Sequence, residues 1–197
     1  MLFRSTVSIK GRDDVLDVEI TVKETNTGQI SLGAGLSSAT GGFIQASITQ
    51  RNFRGMGQQL SLSFSQSKYS HTFSLGFTEP YLFDTKWTAG GDVFYTDNSY
   101  SSSFEYKRYG GDVRIGYPIL DYTNLFVTYK VENTELSKVL DPTVDPETEN
   151  GWASIISTTL EKDKRDNRMQ ASKGYYWALS YEFSGLGGDK FWTKGEV

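Results

Sequence analysis

The sequence predicts an all-β fold: an antiparallel up-and-down transmembrane β-barrel of which about ten strands are present. Three observations predict it. Apolar and polar residues alternate through segment after segment from Gln29 onward. The turns between these segments alternate between two chemical styles. The apolar sides carry little beyond aliphatic, small and aromatic residues, and the aromatics gather near segment ends. Successive side chains of a strand point to opposite faces, so the pattern describes a wall with one oily and one wet surface.

Composition agrees. The 197 residues include 12 Phe, 12 Tyr, 4 Trp and 20 Gly but only 4 Pro. β-branched and aromatic side chains pack well on a pleated surface, so the mixture suits strands. The formal charge is −4, and the cations are scattered, which argues against nucleic acid as a partner because phosphates demand clustered cations. Cysteine is absent, excluding disulfides and thiolate metal sites. No run approaches the ~18 apolar residues of a transmembrane helix. A barrel needs only strands of about 9–11 residues with one apolar face. Met1-Leu2-Phe3-Arg4 leads straight into a strand-like segment, so an exported protein would have its leader removed or replaced.

The elements follow in order. Thr6 to Lys10 and Val15 to Lys23 read as a hairpin closed near Gly11 to Asp14. In its second arm Val18, Ile20 and Val22 alternate with Glu19, Thr21 and Lys23, a pattern suited to water. Residues 1–28 therefore read as the edge of a small soluble domain, linked through Asn26-Thr27-Gly28 to a barrel region over 29–197. Its apolar faces begin with Ile30, Leu32, Ala34, Leu36; Ile44, Ala46, Ile48; Leu60, Leu62, Phe64; and Phe73, Leu75, Phe77. They continue with Trp87, Ala89, Val93, Tyr95; Val113, Ile115, Tyr117; and Leu125, Val127, Tyr129, Val131. Last come Trp152, Ile156, Leu160; Tyr175, Trp177, Leu179, Tyr181, Phe183; and a strand near Phe191. A soluble β-sandwich would give the same period, so alternation alone does not separate the two.

The connections sort into two sets. One comprises Arg51 to Gly57, Glu79 to Asp84, Pro118 to Asp121 and Asp163 to Gly174, rich in Pro, aromatic and Asp/Asn residues. The other comprises Ser37 to Gly42, Ser65 to Ser70, Asp97 to Ser103 and Ser137 to Gly151, polar and variable in length. Outer-membrane barrels place defined turns on the periplasmic side and longer loops outside. The N-terminal hairpin enters on the side of the defined turns.

These residues resemble the BamA family. Val15 to Gly28 is similar to the last strand of a final POTRA domain, running into a first barrel strand. Asn52-Phe53-Arg54-Gly55-Met56-Gly57, Thr78-Glu79-Pro80-Tyr81-Leu82-Phe83 and Gly116-Tyr117-Pro118 resemble family turns. Asp163-Lys164-Arg165-Asp166-Asn167 with Gly174, and Gly185-Leu186-Gly187-Gly188-Asp189, resemble the eighth to tenth strands. The resemblance implies a barrel of about sixteen strands preceded by POTRA domains, a late Arg-Gly-Phe motif and a terminal aromatic. This chain carries neither of the last two, so it reads as a POTRA remnant plus the N-terminal part of the barrel. An open sheet in lipid leaves backbone groups unpaired, each costing several kcal/mol.

The resemblance further implies a bacterial outer-membrane protein with its N-terminal segment in the periplasm. Its role would be to fold and insert β-barrel clients, without enzyme chemistry and without a cofactor. Its partners would be client strands, outer-membrane lipid and assembly-complex lipoproteins. The working group would be the main chain of Gln29, Ile30, Ser31, Leu32, Gly33, Ala34, Gly35, Leu36 and Ser37, a lateral gate at which a client strand pairs by β-augmentation. Gly33 and Gly35 lie on its polar side, where missing side chains either allow bending or fit a crowded interior. The alternatives are a TamA-like or two-partner secretion barrel and a passive porin-like channel.

Other candidates read more plainly. His71, the sole histidine, sits at a loop edge and is expected to be solvated rather than part of a triad. Asp163, Lys164, Arg165, Asp166 and Arg168 read as a solvated turn or lumen network. Asp141, Asp145, Glu147 and Glu149 lack the glycine-centred spacing of a calcium loop. Gly55-Met56-Gly57 and Gly185 to Gly188 precede strands rather than helices and so are not phosphate cradles.

Overall fold

A computed structural model of the protein describes residues 2–12, 15–25, 27–37, 41–99, 105–140, 149–167 and 170–196, with backbone alone for 2–25 and Ser37. The chain opens with an antiparallel hairpin of β1 (Leu2–Arg12) and β2 (Val15–Thr25), forming a two-stranded sheet of its own. Its register pairs Val7 with Ile20 and Ile9 with Val18. Both arms run longer than the alternation alone marks out.

Ten strands follow: β3 (Gly28–Ser37), β4 (Gly41–Phe53), β5 (Gln58–Ser67), β6 (Ser70–Glu79), β7 (Thr88–Asn98), β8 (Glu105–Leu120), β9 (Thr123–Ser137), β10 (Gly151–Asp163), β11 (Tyr176–Gly188) and β12 (Trp192–Glu196). Each pairs antiparallel with the next, giving one up-and-down sheet in chain order with β3 and β12 at its edges. The sheet is not closed. Its ten strands coincide with the ten apolar faces read from the sequence.

The oily face is bare. Among the described residues only Ala153 and Ile155 are buried hydrophobics, while Leu32, Leu36, Val113 and Ile115 on the outward side are exposed. Two sheets pressed together would bury those side chains, so the sandwich alternative is excluded. The outward face is also banded. Cross-strand partners Phe64, Phe73, Tyr95, Tyr109, Asn133 and Trp152 form one row. Trp87 and Tyr117, with ring centroids 4.7 Å apart, lie toward the opposite rim. From Trp87 to Tyr95 the strand rises about 26 Å at about 3.3 Å per residue. A barrel tilt of about 40° would turn that into roughly 20 Å of height, close to the apolar band of a membrane barrel.

The other face is polar and cross-linked. The Arg114 guanidinium donates to Asp92 Oδ2 at 2.5 Å and to Asp112 Oδ1 at 3.3 Å. Lys130 Nζ lies 3.3 Å from Glu132 Oε2. Toward β3 the same face is hydroxylic, with Ser63 and Ser74 hydroxyls 2.7 Å apart. Among the described residues no buried side-chain nitrogen or oxygen lacks a partner, as burial of polar groups requires.

Three expectations need correction. Pro118-Ile119-Leu120 is strand, not turn: β8 continues to Leu120 across a register shift at 118–120, the irregular position where proline is tolerated. Arg51 to Phe53 likewise extends β4, with a shift between Gln50 and Phe53. Loop length does not divide the two rims. Connections 54–57, 80–87, 121–122 and 164–175 on one side overlap in length with 38–40, 68–69, 99–104, 138–150 and 189–191 on the other. Polar Ser, Gln and Asn continue the hydrogen-bonded ladder into segments read as loop. Composition, not length, distinguishes the rims.

Candidate functional site

All nine residues from Gln29 to Ser37 fall within β3. The strand is held by β4 alone, in a register that pairs Ile30 with Ile48, Leu32 with Ala46 and Gly35 with Phe43. At its start the Gln50 side-chain amide donates to Thr27 Oγ1 at 3.2 Å, and the Arg51 N–H donates to the Thr27 carbonyl at 3.4 Å. Residues 27 and 51 extend the β3–β4 register by one step, so this bond fixes the phase of the ladder. In an antiparallel pair every second residue exchanges both bonds with its partner. Thr27 and the odd positions of β3 therefore turn their backbone groups to β4. Ile30, Leu32, Ala34 and Leu36 turn theirs to the free edge.

The same four residues project outward. Ile30, Leu32 and Leu36 are 71%, 81% and 92% exposed, among the barest apolar side chains of the sheet. Gly33 and Gly35 face the polar side, and their missing side chains are replaced by neighbours. A Cβ on Gly33 would meet the Gln45 amide nitrogen at 2.8 Å, and one on Gly35 would meet Phe43 Cζ at 2.7 Å. Sequence reasoning missed Phe43 as a polar-face residue. Gly116 repeats the arrangement under Phe126 at 2.5 Å. Covering a strand glycine with a cross-strand aromatic ring compensates its lost packing.

The remaining candidates take structural places. His71 is the second residue of β6, opposite Gln66 and Asp97, and among the described hydrogen bonds none joins it to a serine. Asp163 receives the Arg165 guanidinium at 2.8 and 2.9 Å, and that guanidinium also lies 4.9 Å from the Tyr176 ring centroid. Asp166 organises the turn 164–175. Its carboxylate accepts the N–H groups of Asn167, Ser172 and Lys173 at 2.9–3.1 Å and the Ser172 hydroxyl at 2.5 Å. These donors, the Ser172 hydroxyl foremost, lower its pKa to about 2. The charge cluster is thus a folded turn. Asp141, Asp145, Glu147 and Arg168 lie outside the described residues, as do parts of the loops read at Ser37 to Gly42 and Asp97 to Ser103. Gly55 and Gly57, both at positive φ, shape the β4–β5 turn, where Asn52 Oδ1 accepts the Gly57 N–H at 2.5 Å.

Comparison with known proteins gives a consistent result. A family model described as the Omp85 superfamily domain matches residues 52–197, beginning C-terminal to β3. The outer membrane protein assembly factor BamA of Neorickettsia risticii is 29% identical over 182 residues, covering 88% of this chain and 24% of that protein. The BamA of Nitratidesulfovibrio vulgaris is 28% identical over 192 residues, covering 94% of this chain and 24% of that protein. Among solved structures, the crystal structure of BamA from Haemophilus ducreyi lacking POTRA domains 1–3 superposes with a TM-score of 0.62. It is 24% identical and covers 94% of this chain and 40% of that one. At that identity the likeness is one of fold. The chain spans about a quarter of the length of the curated relatives it matches.

Proposed function

The chain belongs to the Omp85 superfamily, and from that premise we propose that it forms the leading part of a barrel that folds and inserts other β-barrel proteins into a bacterial outer membrane. The free edge of β3 is the working element. A client strand adds to it by main-chain hydrogen bonding, with Ile30, Leu32, Ala34 and Leu36 supplying the donors and acceptors. No reaction or cofactor enters. The rim carrying 54–57, 80–87, 121–122 and 164–175 lies toward the periplasm, where residues 1–28 are the end of a POTRA domain. Assembly lipoproteins would meet the protein on that side.

The observation that supports the reading is how β3 presents its backbone: as the first strand of the sheet it turns the groups of Ile30, Leu32, Ala34 and Leu36 away from β4, and these same residues carry its exposed apolar side chains. Unpaired backbone in lipid costs several kcal/mol per group, so these groups require a strand partner, the last strand of a closed barrel or, during assembly, a client strand. Gly33 and Gly35 leave the polar side of the strand without side chains of its own, the space above them being taken by Gln45 and Phe43 of β4.

Site-specific photocrosslinking in cells tests this. A photoreactive residue at Leu32 or Ala34 is expected to trap barrel clients during their assembly, whereas one at Val113, deep in the same face, is not. Client adducts absent at β3, or equally abundant at Val113, would overturn the proposal.

A further inference from the structure

Two clefts on the outward face of β3–β5 run into one another. The upper, of about 660 Å³, is bounded by Leu36, Gly42, Gln66 and Lys68. The lower, of about 370 Å³, is bounded by Leu32, Ala46 and Phe64. Ala34 and Ile44 line both. The trough exists because large and small side chains alternate across the strands: Ala34 opposes Ile44, Leu36 opposes Gly42, and Ala46 lies between Leu32 and Phe64. Each small residue leaves a gap that its neighbours cannot fill.

We propose that this trough seats one phosphate-bearing membrane lipid, with an acyl chain along Leu32, Ala34, Ile44, Ala46 and Phe64 and the headgroup phosphate on Lys68. The inference rests on the membrane-spanning reading. The floor of the lower cleft is apolar apart from Gln45, and it starts at the Phe64–Phe73–Tyr95 row, where Leu32, Ala46 and Phe64 stand in register. Lys68 stands about 13 Å further along the strand at about 3.3 Å per residue, where a headgroup would lie. Its ammonium is 4.9 Å from the Tyr69 ring centroid, and neither lining includes a carboxylate to neutralise it. The trough opens on the outward face, whereas a pairing strand takes the edge backbone of β3, so lipid and strand do not compete.

The test uses the full chain reconstituted into vesicles, with a fluorophore on Ile48→Cys, just below the trough, and separately on Val113→Cys, four strands away. The chain has no native cysteine, so each label is unique. Vesicles carry acyl-brominated phosphatidylglycerol or acyl-brominated phosphatidylcholine as quencher at the same mole fraction. At residue 48 phosphatidylglycerol is expected to associate about fivefold more strongly than phosphatidylcholine, the preference one lysine at a surface confers. That preference is expected to vanish with Lys68→Glu, and quenching by both lipids is expected to fall with Ala46→Phe, which fills the trough. At residue 113 both lipids should quench alike. Equal quenching at residue 48, or a preference that survives Lys68→Glu, overturns the lipid seat while leaving the membrane reading intact. Quenching at neither position overturns both.

Discussion

The ring of Phe43 occupies the space above Gly35 that a side chain there would need, with Cζ 2.7 Å from the position of an added Cβ. The two are direct cross-strand partners, so the glycine and the ring form one packing unit on the polar face of the edge strand.

That unit is expected to show non-additivity. Gly35→Ala alone forces the ring aside, and Phe43→Ala alone uncovers the glycine. The double variant removes the conflict. Urea unfolding of the four proteins in detergent should give a coupling energy above about 0.5 kcal/mol, with the double variant more stable than the sum of the singles implies. Simple additivity would mean that the ring does not depend on the glycine.

Burial separates two aliphatic residues that look equivalent in sequence. Ile155 is 1% exposed and Leu36 is 92% exposed. Ile155→Ala should cost about 2–4 kcal/mol through lost transfer energy and a residual cavity. Leu36→Ala should stay within about 0.5 kcal/mol in detergent. Equal losses in equilibrium unfolding would contradict the assignment of faces.

Asp92 and Asp112 are cross-strand neighbours on the polar face, with Arg114 bonded to both. Arg114→Met leaves the two carboxylates facing each other. All three side chains are partly exposed, so solvent screening limits the loss to roughly 1 kcal/mol. Adding Asp112→Asn should recover most of it in the same unfolding assay. No recovery would mean that Arg114 acts through packing rather than charge.

The turn built on Asp166 should respond to acid. Its folded pKa, about 2, lies below the ordinary 3.8, so its stabilising effect is complete above the ordinary value and disappears as pH falls through about 2. Amide resonances of Asn167, Ser172 and Lys173 are expected to move together with an apparent midpoint near that lowered value. Asp166→Asn should abolish the shared transition. A midpoint at 3.8 would show that the hydrogen bonds to the carboxylate do not hold in solution.

Much of the fold is legible in the sequence. Strands such as β5, with Leu60, Leu62 and Phe64 set between serines and glutamines, announce themselves through a period that only a pleat produces. The cluster from Asp163 to Asn167 reads as a solvated turn or lumen network because such charge runs mark exposed segments; Asp163 ends β10 and the rest lies in the turn after it. What escaped depends on register. Phe43 and Phe126 count as oily in any alternation, yet they face the polar side because a glycine lies across from each. Pairing between strands is not written locally. Ile155 was invisible for a related reason: it belongs to the polar-face set of β10 and pairs with Ser184 where the β10–β11 register shifts. Within Gln29 to Ser37 the sequence marked the strand but not which residues turn their backbone to the edge. That phase is set by Thr27 and Arg51.

The phase has a consequence for whatever docks along β3. Amide and carbonyl groups recur on that border only at every other residue, so an incoming segment can settle only in two-residue increments. A slip by one would swap its wet and oily flanks wholesale. Discrimination at such a border is strict about parity and indifferent to identity, which would let a single edge serve many unrelated sequences provided that each alternates.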